Sequence, residues 1–123
     1  MRALLFVSHG SYSKKAYTEV RVLVKQIKKE SKISVFHYAF LEINHPNISK
    51  GLERCVIDGA RHIVILLNFL NTGHHARFDI PRIVKKALIK FPYISFQILP
   101  PIGQDPAMKR IYLSAIRKSF RNK

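Results

Sequence analysis

The chain is poor in cysteine and lacks long apolar segments. Its 123 residues include one cysteine, Cys55, which excludes an internal disulfide and fits a reducing compartment. The longest apolar runs, residues 3–7 and 63–67, are far shorter than the roughly 20 residues that cross a bilayer. The first of these runs ends at Ser8 without a small-residue cleavage pattern, so we expect no signal peptide and a cytoplasmic location.

Motifs of several common function classes are also absent from the sequence. No GxGxxG follows the first apolar run and no P-loop occurs, so the usual phosphate cradle of nucleotide-binding proteins is missing. No CxxC pair is present for structural zinc or for thioredoxin-like redox chemistry. No recognised nucleic-acid-binding motif is found, and we expect neither a nucleic acid nor a membrane as partner.

Acidic residues are scarce, and basic residues are not. The chain has 22 lysines and arginines against 7 aspartates and glutamates, which gives a formal net charge of +15. Such a charge attracts polyanions. Nucleic acid, a small molecule with several carboxylates and an anionic membrane surface all fit, and charge alone does not choose between them.

Four apolar segments alternate with four amphipathic segments along the chain. The apolar segments, rich in β-branched and aromatic residues, predict strands over residues 2–8, 33–40, 62–69 and 94–99. Apolar residues at helical spacing predict helices over residues 13–31, from Pro46 to Gly59, from the loop after residue 73 to about Phe91, and over 106–120. This order predicts one α/β domain over residues 1–123, with a mainly parallel four-stranded sheet and helices on both faces.

Histidines and a carboxylate follow the predicted strands at their carboxyl ends. His9 comes after the first strand, Glu42 and His45 come after the second, and His74 and His75 come after the third. In open α/β sheets, ligands bind beyond this edge of the sheet. The sequence therefore predicts a cluster of metal-binding and proton-accepting groups on one rim.

Each of these residues also has an ordinary structural explanation. His9 alone is typical of a hydrogen-bonded turn, and Glu42 alone is typical of a surface. Asp79 lies four residues after His75, where a carboxylate either orients that imidazole or favours the helix dipole. Cys55 lies on the apolar stripe of a predicted helix and is assigned to the core.

Taken together, the loops resemble those of a known family. The matching segments are 9–11 (HGS), 39–42 (AFLE) followed by Pro46, 59–60 (GA), 69–70 (FL), 73–81 (GHHARFDIP) and 100–106 (PPIGQDP). In their order and spacing, the chain resembles the short-form sirohydrochlorin cobaltochelatases, which are CbiX-like class II chelatases.

The resemblance implies a flavodoxin-like, chelatase-like fold and an enzyme that inserts Co²⁺ into a sirohydrochlorin-type tetrapyrrole in cobalamin biosynthesis. It implies that His9 and His75 bind the incoming metal and accept pyrrole protons, with Glu42 as a further ligand or proton acceptor. The divalent metal is then a substrate, and no permanently bound cofactor is implied.

Substrate contacts and assembly complete the expectations. Ser11, Tyr12 and Arg77 are expected to contact the anionic tetrapyrrole; Tyr12 stands where family members often carry arginine. Because one small domain does not enclose a macrocycle, we expect a homodimer with twofold symmetry. Three alternatives remain open: insertion of iron or nickel instead of cobalt, a tetrapyrrole or metal carrier without catalysis, and a basic nucleic-acid-binding domain.

Overall fold

The computed structural model of the chain describes residues 1–71 and 73–121, without the side chains of residues 74–76. Strands and helices alternate along it, which confirms the α/β class predicted from the sequence. The strands are β1 (Arg2–Ser8), β2 (Val35–Phe40), β3 (His62–Leu67) and β4 (Ser95–Ile98). The helices are α1 (Lys14–Ser31), α2 (Ile48–Ile57), α3 (His74–Lys90) and α4 (Ala107–Phe120), with a short 3₁₀ helix at Ile102–Gln104.

The four strands form one sheet in the order β2-β1-β3-β4, and all three neighbouring pairs are parallel. β1 therefore lies between β2 and β3. Ser8 pairs with Phe40, and Val7 pairs with Leu67. This register brings the loops that follow β1, β2 and β3 to the same edge of the sheet.

Helices cover the two faces of the sheet unequally. On one face, Leu5, Ile63 and Ile65 are fully buried in a large core with α2 and α3. Full burial of such a side chain contributes about 1.5–3 kcal/mol. On the other face, a smaller cluster forms where Val24 of α1 packs against Phe6 and Phe36.

The ends of α1 and α2 follow local capping chemistry. The Ser13 hydroxyl accepts a hydrogen bond from the Ala16 N–H at 3.2 Å and starts α1. Asn47, and not Pro46, caps α2 by accepting from the Lys50 N–H at 2.8 Å. The prediction that Pro46 opens this helix is wrong, because Pro46 is a buried residue two positions earlier, after a cis peptide bond. Gly59 ends the helix as predicted, with a φ of 99°.

Helix α4 differs from the other helices in its exposure. Every side chain from residue 109 to residue 120 is exposed to solvent. Five of these side chains are large and apolar: Ile111, Tyr112, Leu113, Ile116 and Phe120. Among the described residues, no helix is long and apolar enough to cross a membrane.

The burial of Cys55 predicts that its thiol reacts slowly in the folded protein. Burial, and then the nearby Asp58 carboxylate, raise the pKa of Cys55 to about 12. At pH 8 the thiol therefore stays protonated, and we expect iodoacetamide to modify it rapidly only after unfolding in denaturant. Mass spectrometry of the alkylated native protein measures this; modification at the rate of a free thiol would contradict a core position.

Candidate functional site

Hydrogen bonds continue between the chain segments beyond the ends of the strands. The Leu41 N–H donates to the Ser8 carbonyl at 2.9 Å, and the Glu42 N–H donates to the His9 carbonyl at 3.1 Å. On the other side of β1, the Asn68 N–H donates to the Val7 carbonyl at 2.8 Å. The residues after β1, β2 and β3 are thus held side by side at one edge of the sheet.

His9 and Glu42 form an imidazole–carboxylate pair at this edge. The His9 Nε2 lies 2.9 Å from the Glu42 Oε1, and the two side chains are 56% and 54% exposed. A solvated pair of this kind is accessible to a ligand from outside. Metal binding or proton acceptance was predicted for three residues, His9, Glu42 and His75. The structure brings His9 and Glu42 together.

Phe69 supports the imidazole from the β3 side. Its ring centroid lies 6.0 Å from that of His9 at an interplanar angle of 74°, an edge-to-face contact. Phe69 is buried, and its carbonyl accepts a hydrogen bond from the Gly103 N–H at 2.9 Å. His9 is therefore held between the Glu42 carboxylate and a fixed aromatic ring.

The loops that carry His9 and Glu42 lie too close together for a side chain at position 10. Gly10 has a φ of 110°, and a Cβ there would lie 1.9 Å from the Glu42 carbonyl oxygen. Only glycine combines this backbone conformation with this approach.

Asn44 ties the same two loops together. Its Oδ1 accepts a hydrogen bond from the Ser11 N–H at 2.7 Å, and its N–H donates to the Glu42 carbonyl at 2.8 Å. Ile43 between them has a φ of 71°, which turns the chain back toward β1. Sequence reasoning assigned no role to Asn44; the readiness of asparagine side chains to bond to nearby backbone was the available signal.

His74 and His75 lie in the first turn of α3, whose first residue is His74. The side chains of residues 74–76 are outside the part of the structure described, and so is the predicted contact between His75 and Asp79. The Asp79 Oδ1 lies 3.6 Å from the Arg82 Nη1. The backbone thus places His75 in the first turn of α3, the helix that follows β3, and β3 is the neighbour of β1, which His9 follows.

The three residues predicted to contact a substrate differ in their surroundings. Ser11 is part of the turn before α1, where its hydroxyl accepts from the Ser13 N–H at 3.0 Å. Tyr12 is 91% exposed, and Arg77 is exposed with its guanidinium carbon 5.7 Å from the centre of the Phe78 ring. Tyr12 and Arg77 are thus accessible to a ligand, whereas the Ser11 hydroxyl stabilises the turn before α1.

His45 does not join His9 and Glu42. It lines a separate cleft beside β2 and α2, formed by Tyr38, His45, Pro46, Asn47, Ser49, Lys50, Glu53 and Arg54. Among the described residues, which do not include the side chain of His75, no three histidine, cysteine, aspartate or glutamate side chains are grouped as a metal site. The described part of the site is therefore the His9–Glu42 pair.

Comparison with known proteins identifies similar sequences over almost the whole chain. The CbiX family model matches residues 3–119. The sirohydrochlorin ferrochelatase of Bacillus subtilis is 35% identical over 112 residues, covering 90% of this chain and 43% of the relative. The sirohydrochlorin cobaltochelatase of Priestia megaterium is 29% identical over 99% of this chain and 40% of its own. The chain thus spans less than half the length of these relatives.

One relative has a similar length. The sirohydrochlorin cobaltochelatase of Saccharolobus solfataricus is 30% identical over 98% of this chain and 97% of its own. Among solved structures, the Bacillus subtilis sirohydrochlorin chelatase SirB in complex with cobalt has a TM-score of 0.87 and 33% identity, over 95% of this chain and 50% of that one. The CbiX protein of Marinobacter aquaeolei has a TM-score of 0.84 at 17% identity, a likeness of fold.

The close approach at Gly10 predicts how the site tolerates substitution. We expect Gly10→Ala to lower the free energy of unfolding by roughly 2 kcal/mol or more, because the new methyl group meets the Glu42 carbonyl. Urea denaturation measures this. Gly59→Ala is the matched control, since Gly59 has a similar φ of 99° but its nearest neighbouring atom is the Met1 sulfur at 4.0 Å. Equal losses in the two variants would show that the contact with Glu42 is unimportant.

Proposed function

The chain belongs to the CbiX family, and from that premise we propose that it inserts a divalent metal into a sirohydrochlorin-type tetrapyrrole. The observation that carries the proposal is the His9–Glu42 pair. The His9 Nε2 lies 2.9 Å from the Glu42 Oε1, and about half of each side chain is exposed to solvent. The turn that contains His75 follows the neighbouring strand. We assign metal binding and proton acceptance to His9 and His75, with assistance from Glu42.

The chemistry of metal insertion explains why these groups suit the reaction. Two pyrrole protons are exchanged for one divalent cation, so the site needs a base that works near neutral pH and a ligand that releases the metal. Imidazole provides both. When the Nε2 of His9 carries the proton that it donates to Glu42, its Nδ1 has the lone pair that binds a cation or accepts a proton.

The absence of a thiolate among the described rim residues supports the same assignment. Cys55 is buried in the core, and its raised pKa keeps it protonated. Thiolates bind first-row metals tightly, whereas imidazole and carboxylate ligands hold them more loosely. A loosely held cation is the one that a macrocycle can take.

We propose cobalt as the metal, with ferrous iron and nickel as the alternatives. Histidine binds all three, and the relatives include proteins named as cobaltochelatases and as ferrochelatases. The metal is a substrate of the reaction, which we place in the cytoplasm.

Charge and exposed side chains support a carboxylate-rich tetrapyrrole as the second substrate. The net charge of +15 steers an anionic macrocycle toward the protein, and salt weakens this attraction. Tyr12, which is 91% exposed, offers an aromatic surface near His9. Arg77 offers a guanidinium group in the first turns of α3. Ser11 supports this edge through its turn.

A second copy of the chain supplies the opposite wall of the site in this proposal. The chain spans 43% and 40% of the length of two relatives with this activity in their names, so two copies have about the length of one such relative. A homodimer with twofold symmetry is the simplest arrangement of two identical lobes.

Anaerobic metal insertion tests the proposed reaction. We expect the purified protein to accelerate the absorbance change of sirohydrochlorin with Co²⁺ above a protein-free control. Parallel reactions with Ni²⁺ and Fe²⁺ identify the preferred metal, and higher salt should slow the reaction at low substrate concentration. Tight tetrapyrrole binding without acceleration by any of the three metals would favour a carrier and refute the enzyme.

Histidine substitutions test the assigned residues. We expect His9→Ala and His75→Ala each to lower the insertion rate roughly 100-fold or more, the usual contribution of a positioned acid or base. The circular dichroism spectrum should remain unchanged. His74→Ala should have a smaller effect.

His62→Ala is the matched control for these variants. His62 pairs with Arg2 at the opposite end of the sheet and lies 2.6 Å from the Ser95 hydroxyl. Its substitution should leave the insertion rate near that of the wild type. A near-normal rate in either His9→Ala or His75→Ala would refute the assignment of that residue.

A further inference from the structure

A tetrapyrrole presents its metal site and its carboxylates at different places. The metal enters the centre of the ring, among the pyrrole nitrogens, whereas the carboxylates are carried on side chains around its periphery. Groups that hold the carboxylates must therefore lie to the side of the His9–Glu42 pair. Arginine, lysine and other N–H donors that have no protein carboxylate as partner are suited to this task.

The cleft that His45 lines lies beside the site and contains such donors. It is located between the end of β2 and α2 and has a volume of about 550 Å³; we call it the β2 cleft. Lys50 and Arg54 of α2 also line it, four residues apart and therefore on one face of that helix. His45, Lys50 and Arg54 are all exposed, so a ligand can reach them from solvent.

The positive charges of the β2 cleft are only partly neutralised by the protein. Glu53 is the single carboxylate among the residues that line the cleft, and it is shared between Lys50 at 3.4 Å and Lys90 at 3.5 Å. Among the described residues, no carboxylate pairs with His45 or Arg54. One carboxylate between two lysines leaves the cleft positive, and the Arg54 guanidinium adds to that charge.

The loop that carries Glu42 leads directly into the β2 cleft. His45 comes three residues after Glu42, so their Cα atoms are at most about 11 Å apart, at about 3.8 Å for each residue. The Pro46 carbonyl accepts a hydrogen bond from the Phe40 N–H at 2.8 Å, which ties the far end of this segment to β2. The cleft therefore keeps a fixed position close to the His9–Glu42 pair.

We propose that the β2 cleft binds peripheral carboxylates of the tetrapyrrole while the ring lies over the His9–Glu42 pair. Arg54 provides two parallel N–H donors that match a carboxylate, Lys50 provides a point charge, and His45 provides a ring N–H. These three residues position the substrate and take no part in the exchange of protons for the metal. The inference rests on the proposed function and adds positioning residues to it.

Substitution of Arg54 in the full chain tests the inference. We expect Arg54→Gln to weaken the binding of sirohydrochlorin, measured by absorbance without metal, roughly tenfold, the effect of one hydrogen bond between charged groups. In Co²⁺ insertion, KM should rise by a similar factor and kcat should stay within about twofold, because the contact is the same before and during the reaction. Arg54→Lys should restore part of the affinity, since it returns the charge without the paired donors.

Arg2→Gln is the matched control, because it removes the same charge at the opposite end of the sheet, where Arg2 pairs with His62. Equal affinities of the Arg54→Gln and Arg2→Gln variants would overturn the inference and leave the chelatase proposal intact. Sirohydrochlorin binding that depends on Arg54, without insertion of any metal, would refute the chelatase and retain the cleft. A wild type that binds no tetrapyrrole would overturn both.

Uroporphyrin and its methyl ester separate the contribution of the carboxylates from that of the ring. Both ligands have the same macrocycle, but the arms of the ester carry no negative charge. We expect Arg54→Gln to weaken the binding of uroporphyrin and to leave the binding of the ester unchanged in the same buffer. An equal loss of affinity for the two ligands would show that position 54 acts on the ring or on the fold, and would contradict the assignment.

Discussion

The backbone contact between the loop after β1 and the loop after β2 determines the geometry of the described part of the site. The Glu42 N–H bonds to the His9 carbonyl, and the absence of a side chain at Gly10 lets the Glu42 carbonyl approach. Asn44 then fixes the turn from the other side. The 2.9 Å distance between the His9 and Glu42 side chains is a consequence of this contact. The parallel pairing of β1 with β2 provides the frame on which it forms.

The periodic pattern of apolar residues was sufficient to predict the sheet. All four strands and all four helices occur in the predicted order, because burial on both faces requires long apolar runs that a sequence displays openly. The ends were less predictable. β3 ends at Leu67 and not at Phe69, since Phe69 turns to pack on His9. Pro46 precedes its helix and does not open it, because the cap is decided by the Asn47 side chain, which competes locally with the proline signal.

Only those contacts of the site that follow from strand order could be predicted from the sequence. His9 and Glu42 meet because β1 and β2 are neighbours, which the alternation of elements already favoured. Asparagine is a residue type that often bonds to nearby backbone, but the partner of Asn44 was not predictable, because it depends on the left-handed conformation of Ile43, a residue that seldom adopts it. The exposure of α4 could not be predicted from the sequence, for a different reason. An amphipathic pattern predicts a helix with one apolar face, but it contains no information on whether the rest of the chain buries that face.

The partial solvation of His9 and Glu42 has a kinetic consequence. About half of each side chain faces water, so a cation bound by the His9 Nδ1, as proposed, would retain part of its hydration shell. Such an ion could exchange ligands through its water-filled positions, without a protein ligand having to leave first. A closed site, with every coordination position supplied by protein, would hold the ion longer and exchange it more slowly. Under the proposed function, the partial exposure of His9 and Glu42 would therefore favour rapid release of the metal over its storage.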